Sequence, residues 1–396
     1  MQKQSYIILS RLRPPSSMGR GITPQAGIRT HDQEDGADTA PVQVDVRPLD
    51  LKEVRDLQQE PDVNIAAAMP LRLVQPRGEP TLEAAAASQA WGLEAIGATR
   101  TTLTGKGVVV AVLDTGIDEK HAAFKHLGAR LVTKNFTTSA PEDTNGHGTH
   151  CAGTIFGDSV GGKRIGVAPG IKKALVGKVL GAGTDSGTLV QAIQWAVAEG
   201  ANVISMSLGI DFPGYAASLQ DEGLPPDIAT SRALQAYRDN VRLFDALSSL
   251  VRAGGFLQQA TIVVVAAGNE SRADENEEFL VALGVPAAAD GFISVGAVGK
   301  SGAGFEMATF SNVGPTLCGP GVDILSARRG GGLTTLSGTS MATPHVAGVA
   351  ALWIEQMKKS GQKVTAEALH ANLLGRAQLL PLPPERAGRG LVRAPE

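Results

Sequence analysis

From about Gln89 onwards, apolar residues fall in short continuous runs separated by amphipathic stretches. "GVVVAVLD" (107–114), "KALVGKVL" (173–180), "ANVISMSL" (201–208), "ATIVVVAAGN" (260–269) and "GFISVGAV" (291–298) carry no polar alternation. That is the pattern of strands buried on both faces. Between them, "GTLVQAIQWAVAEG" (187–200) and "TSRALQAYRDNVRLFDALSSLV" (230–251) place apolar residues at helical spacing. The rhythm predicts an α/β fold, a mostly parallel sheet with helices on both faces, whose functional residues gather at the carboxyl ends of the strands.

The first part of the chain differs. Residues 1–40 are polar, with Pro, Gly and Arg scattered through them, and read as disordered or loosely attached. In residues 41–76, "VQVDV" alternates as a strand, "LKEVRDLQQ" has helical spacing and "VNIAAAMPLRLV" reads as a second strand. This small α+β unit has too little core to stand alone. Residues 77–88 read as a linker, and 210–258 as a long connection between two strands of the main sheet.

Composition narrows the class of protein. Of 396 residues, 43% are hydrophobic and 19% charged, which is globular, and the net charge of -3 with no basic block excludes nucleic acid as an expected partner. No apolar run reaches the roughly 18 residues of a membrane-spanning helix. "SYIILS" near the N-terminus is too short for the core of a signal peptide. A cytoplasmic location is the default expectation, with secretion the alternative if the start is misassigned. Cys151 and Cys318 lie in apolar or Gly-rich surroundings that favour two free thiols over a bridge.

Four stretches carry chemistry. Asp114 ends the strand in "VAVLDTGID" and is either a turn residue or a carboxylate at a strand end. In "DTNGHGTHCAGT" (143–154), His147 sits between two glycines, which leave it accessible for proton transfer. His147 and His150 are three apart, a poor match to helical zinc pairs, so no metal site is expected. Asn269 follows a strand in "VVVAAGNES" and is either a turn residue or an amide donor to an oxyanion. In "LSGTSMATPHVAGVA" (336–350), Ser340 is either a nucleophile at a helix entrance, where free N–H groups and the dipole favour negative charge, or, with Ser337, Thr339 and Thr343, simply a capping residue. Gly338 would allow a tight turn before it. Pro344 leaves two registers open, a helix starting at Pro344 or one starting near Ser340.

"DTGID", "NGHGTHCAGT" and "GTSMATPHVAGVAAL" resemble, in order, the three signature blocks of the subtilisin-like serine proteases. The resemblance covers about residues 89–394. The His block looks most like the proteinase-K-like branch, which also has a Cys four residues after its catalytic His.

The resemblance implies a three-layer subtilisin-like fold and a serine endopeptidase. Asp114, His147 and Ser340 would form the triad, and Asn269 with the Ser340 N–H the oxyanion hole. Ser207, Leu208 and Gly209 would form one edge for an extended substrate and the region of Gly183 the other. Ala266, Ala267 and Gly284 would line a P1 pocket with room for a sizeable apolar residue.

Residues 41–76 are similar to a subtilase inhibitory prosegment, which implies a self-inhibited precursor cut between about Val74 and Ser88. The expected partners are a protein or peptide substrate and the chain's own N-terminal segment, in a monomer. No cofactor is required for the chemistry. Segment 156–167, where many relatives bind calcium, offers Asp158 alone among carboxylates; a structural calcium elsewhere is left open. The insertion 210–258 is either a tolerated surface loop or a lid near the cleft. The competing expectations are a silent scaffold on the same fold and a protease dedicated to one partner.

Overall fold

A computed structural model describes residues 4–11, 42–61, 63–81, 90–252, 260–302 and 304–396. Its central sheet is built from β6 (Val109–Asp114), β7 (Leu131–Asn135), β8 (Lys173–Lys178), β9 (Val203–Met206), β11 (Ile262–Ala266) and β12 (Ile293–Ser301). These run parallel in the order β12-β11-β9-β6-β8-β7. Beyond them, β12 pairs in parallel with β14 (Leu317–Pro320) and antiparallel with β13 (Gly304–Met307).

The strands are apolar throughout because both faces are covered. Val110 and Val112 point into one core with α2 (Trp91–Ala95), α3 (His147–Phe156), α7 (Thr339–Lys359), α8 (Ala366–Gly375) and α9 (Pro384–Ala387). Val109, Ala111 and Leu113 point into a second core with α4 (Ser186–Ala198), α5 (Phe212–Asp221) and α6 (Pro226–Arg252). Helix, sheet and helix form the three expected layers.

The N-terminal unit corrects three expectations. Residues 4–11, expected to be loose, form β1 (Gln4–Arg11), the middle strand of an antiparallel sheet. Its neighbours are β2 (Val42–Leu49) and β3 (Val63–Ala67). "SYIILS" is a strand core: Ile8 packs with Leu49 and with Val54 of α1 (Leu51–Gln58), while Ile7 and Leu9 face the core of α4, α5 and α6. The rest of the expected loose segment, 12–40, lies outside the described residues.

The presumed linker is not wholly irregular either. β5 (Arg77–Thr81) joins a second small sheet in the order β15-β16-β5, with β15 (Ile324–Ala327) and β16 (Leu333–Ser337). Residues 82–88 lie outside the described residues. Between β3 and β5, β4 (Leu71–Leu73) pairs antiparallel with β10 (Leu208–Ile210). The single expected strand "VNIAAAMPLRLV" is thus two strands, broken at Met69 and Pro70.

The insertion is mostly helical. Asp211 caps α5 through the Gly214 N–H, and Pro213 and Pro226 sit in first turns, where no N–H is needed. One face of the insertion meets the N-terminal sheet: buried Asn240 of α6 donates to Ala67 O at 2.8 Å, and Gln4 hydrogen-bonds Tyr215. It is therefore not a free surface loop.

One buried carboxylate ties α7 to the start of the main domain. Glu355 Oε2 accepts the N–H groups of Thr104, Gly105 and Lys106 at 2.8–3.0 Å, and Lys359 Nζ lies 2.8 Å from Oε1. Burial raises the Glu355 pKa, but these donors outweigh it and hold it below the usual value. A depressed folded pKa contributes stability above the unfolded pKa of about 4.3, and that stability is lost as pH falls through the folded value. Glu355→Ala should cost about 2–3 kcal/mol near pH 7, because the loop N–H groups lose their acceptor. Urea midpoints of Glu355→Ala and the parent chain should differ at pH 7 and converge towards pH 3.

Candidate active site

The carboxyl ends of β6, β9 and β11 deliver Asp114, Ser207 and Asn269 to one edge of the sheet, while α3 and α7 bring His147 and Ser340 to the same place. Asp114 is 1% exposed, and its Oδ1 accepts from the Thr115 N–H at 2.7 Å and from His147 Nδ1 at 2.8 Å. His147 opens α3. The flanking glycines serve a different purpose from the expected one: Gly146 adopts φ 97°, and a Cβ on Gly148 would collide with Gly116 O. They let the helix approach the Asp114 loop, and His147 is 2% exposed rather than open.

Burial by itself would lower the His147 pKa. The charge of Asp114 and its hydrogen bond override that and hold the pKa well above the usual value of about 6.5. Cys151 lies beneath the ring, its Sγ 3.7 Å from Nδ1. Burial pushes its pKa up, so it is a neutral thiol near pH 7. Among the described residues, His147 Nε2 has no hydrogen-bond partner.

Ser340 is the second residue of α7, so the helix starts before Pro344 and the second register is the observed one. Proline has no N–H to give the carbonyl four residues back. That carbonyl, Ser340 O, is met instead by Cys151 Sγ and Ser207 Oγ, each at 3.4 Å. Gly338 is extended rather than turned; a Cβ there would lie 2.9 Å from Asn269 Nδ2, so the glycine makes room for that amide.

Two residues emerge that the motifs did not single out. Thr339 donates its N–H (2.9 Å) and hydroxyl (2.8 Å) to Asn269 Oδ1, which aims Nδ2 into the cleft. Buried Asp143 accepts from the Thr115 hydroxyl and from the Asn145, Gly146 and Thr149 N–H groups, locking the Asp114 loop to the start of α3. An Asp a few residues before a helix start is the available signal for the latter. His150 and His345 are core residues. They bond Ile324 O and Met341 O, and burial pushes their pKa values down to about 3 and about 4. Both cysteines are free and buried.

The cleft is occupied by the chain's own residues 69–77. β4 lies against β10 in the register Leu73 opposite Leu208 and Arg72 opposite Gly209, and the Val74 N–H reaches Ser207 O at 3.3 Å. The opposite side of the segment is met in the region of Gly183. Gly183 itself lies in a positive-φ turn against Thr138. The contact falls at Asp185 and Ser186, where the Ser186 N–H donates to Met69 O at 2.8 Å and Pro70 bridges to Asp185.

Ser340 Oγ donates to Val74 O at 2.9 Å, and Asn269 Nδ2 donates to Gln75 O at 2.7 Å. Val74 lines a cavity of about 300 Å³ together with Ala266, Ala267 and Gly284, and with Leu234 and Tyr237 of α6. Glu270 at its rim pairs with Arg72 at 2.8 Å.

Residues 105–390 match the subtilase family, the peptidase S8 group. The chain belongs to the subtilase family. It is 36% identical over 300 residues to an intracellular serine protease of Paenibacillus polymyxa, covering 73% of this chain and 79% of the relative. It is 35% identical over 300 residues to the major intracellular serine protease of Bacillus subtilis, covering 73% and 81%. A fungal relative, subtilisin-like protease 6 of Trichophyton verrucosum, is 37% identical over 265 residues, covering 65% of this chain and 54% of that protein. Fungal relatives accord with the proteinase-K-like character of the His block, and the bacterial enzymes match over more of the chain. The protease domain of PatA, solved as a serine-to-alanine mutant, superposes with a TM-score of 0.53 at 28% identity, covering 74% of this chain and 94% of that one. This subtilase is thus a serine protease acting on proteins, with the α/β fold its sequence predicts. Among its described residues, no helix is long and apolar enough to cross a membrane.

Proposed function

We propose that this subtilase is an endopeptidase made in a self-inhibited form. Its triad would be Asp114, His147 and Ser340, and its N-terminal segment its intramolecular inhibitor. The observation that carries the reading is the Ser340 hydroxyl on the Val74 carbonyl at 2.9 Å, with the Asp114–His147 pair (2.8 Å) on the far side of Cys151, whose Sγ lies 3.7 Å from His147 Nδ1 and 3.4 Å from Ser340 O.

In the reaction, Asp114 orients His147 and stabilises its imidazolium, while neutral His147 Nε2 takes the Ser340 proton. Ser340 Oγ attacks the substrate carbonyl, and the oxyanion lies between Asn269 Nδ2 and the Ser340 N–H. His147 then protonates the leaving amine, and water hydrolyses the acyl-enzyme. Ser207, Leu208 and Gly209 bind the acyl side of the substrate as β10 binds β4. The cavity around Val74 leaves room for a larger apolar side chain at that position.

The resident segment lies in a closed pose. The Ser340 hydroxyl donates to Val74 O, and Asn269 holds the carbonyl one residue further on, so its amide is not on the oxygen that attack would charge. Val74–Gln75 is the bond nearest the nucleophile and the candidate for self-cleavage. The insertion supports the inhibited state by holding the N-terminal sheet through Asn240 and Tyr215.

No cofactor enters this chemistry, and the exposed Asp158 carboxylate accepts from its neighbouring Ser159 N–H. The inhibitor and the enzyme are one chain, which supports action as a monomer. The names of the two bacterial relatives support an intracellular location.

A fluorophosphonate probe tests the reading. Wild type should be labelled once its N-terminal segment is released by limited proteolysis, and Ser340→Ala should not. Absence of label on the released wild type would favour a silent scaffold.

A further inference from the structure

The chain crosses the cleft through two β-pairings, one on each side of Ser340. The first is β4 with β10. The second begins two residues after Gln75, where β5 runs antiparallel to β16, the strand that leads through Gly338 into Ser340. Arg77 faces Ser337 and Thr81 faces Thr335, with an irregularity between these pairs. At the near end, the Arg77 guanidinium donates to the carbonyl oxygen of Asn269, with Nε at 2.9 Å.

In the order β15-β16-β5, β16 has β15 on one side and only β5 on the other. Whatever displaces β5 therefore meets a backbone edge beside the nucleophile. Such an edge recognises extended peptide through its main chain, independently of most side chains.

The geometry points to β16, Leu333–Ser337, as a binding edge for the leaving-group side of an extended polypeptide substrate. It reaches the third to seventh residues after the cut bond, and the Asn269 carbonyl selects a guanidinium at the third. This rests on the reading that Val74–Gln75 marks the catalytic register; Arg77 is then the third residue and Thr81 the seventh. β5 is the stand-in for substrate, so it must leave before substrate binds. The site favours long polypeptides over short ones.

The test uses the full chain after activation and two quenched peptides identical up to the cut bond. One ends two residues beyond it; the other runs seven beyond it, with Arg third. The longer peptide should show a kcat/KM at least about tenfold higher, equivalent to ~1.4 kcal/mol. A few backbone hydrogen bonds are enough for that. N-methylation of the backbone from the third to the seventh residue should remove the gain, and Ala for Arg at the third should reduce it.

Values within twofold for the two peptides, or a gain that survives N-methylation, overturn the proposal and leave the protease reading intact. If neither peptide is cut and the fluorophosphonate probe labels nothing, the protease reading fails and takes this site with it.

Discussion

Ser340→Ala should abolish peptide hydrolysis, with kcat falling by about 10⁶, the scale set by removing the nucleophile of subtilisin, a member of the same family. The hydroxyl is buried at the entrance of α7, and its replacement removes one hydrogen bond, to Val74 O, without disturbing the helix. The variant should therefore fold. It should also remain a single full-length chain, whereas wild type should release an N-terminal fragment ending at Val74. N-terminal sequencing of the purified wild type would then read Gln75 first. A full-length band from both proteins under activating conditions would rule out self-processing. Residual hydrolysis by the variant within a hundredfold of wild type would remove Ser340 from the mechanism.

Asp114→Asn should lower kcat by about 10⁴, the scale measured for the matching substitution in another triad protease. Two effects combine. The amide has no charge to stabilise an imidazolium in a site where both side chains are about 1% exposed. It also has a donor that can turn the imidazole into the tautomer with its proton on Nε2, which cannot accept the nucleophile's proton. The pH dependence should move as well. In wild type, Asp114 overrides the effect of burial and raises the His147 pKa, so activity should rise at a pH above about 6.5. Without that charge, burial dominates and the residual activity should rise at lower pH. Rates from pH 5 to 10, with chemistry limiting, give both results. A loss below about tenfold, or a profile that moves to higher pH, would contradict this role for Asp114.

The insertion has two contacts that bear on these experiments. Asn240 and Tyr215 meet the N-terminal sheet, and Leu234 and Tyr237 line, with Val74, the same cavity. Release of the N-terminal sheet and the shape of that cavity are therefore features of the same pair of helices.

Much of the architecture was legible in the chain. Unbroken apolar runs mean strands covered on both sides, and that alone specifies a parallel sheet between two helical layers. The capping box of Asp50 and Glu53 marks the start of α1 as clearly in sequence as in structure. The residue types at the strand ends were legible too, because a buried strand that stops at Asp or at Gly-Asn stands out against its own pattern.

The tertiary structure decided what depends on distant partners. "SYIILS" is short, and nothing local says that it is the middle strand of a sheet whose other face is supplied by an insertion two hundred residues later. Arg77–Thr81 is polar enough to pass for a linker, and it is a strand because β16 offers it an edge. The sequence pointed to the region of Gly183 for the second edge, and the folded chain places the contacts of Met69 and Pro70 within that region, at Ser186 and Asp185. Thr339 bears no motif-level sign of what it holds, and the position of Asp143 before a helix start does not say that it also holds the Thr115 hydroxyl. Hydrophobic period and local caps report the burial of each residue and its nearest neighbours, so the sequence determined the elements and the candidate chemistry. Which strand lies beside which, and which carbonyl receives which hydrogen bond, depend on contacts between segments far apart in the chain, and only the folded structure fixes those.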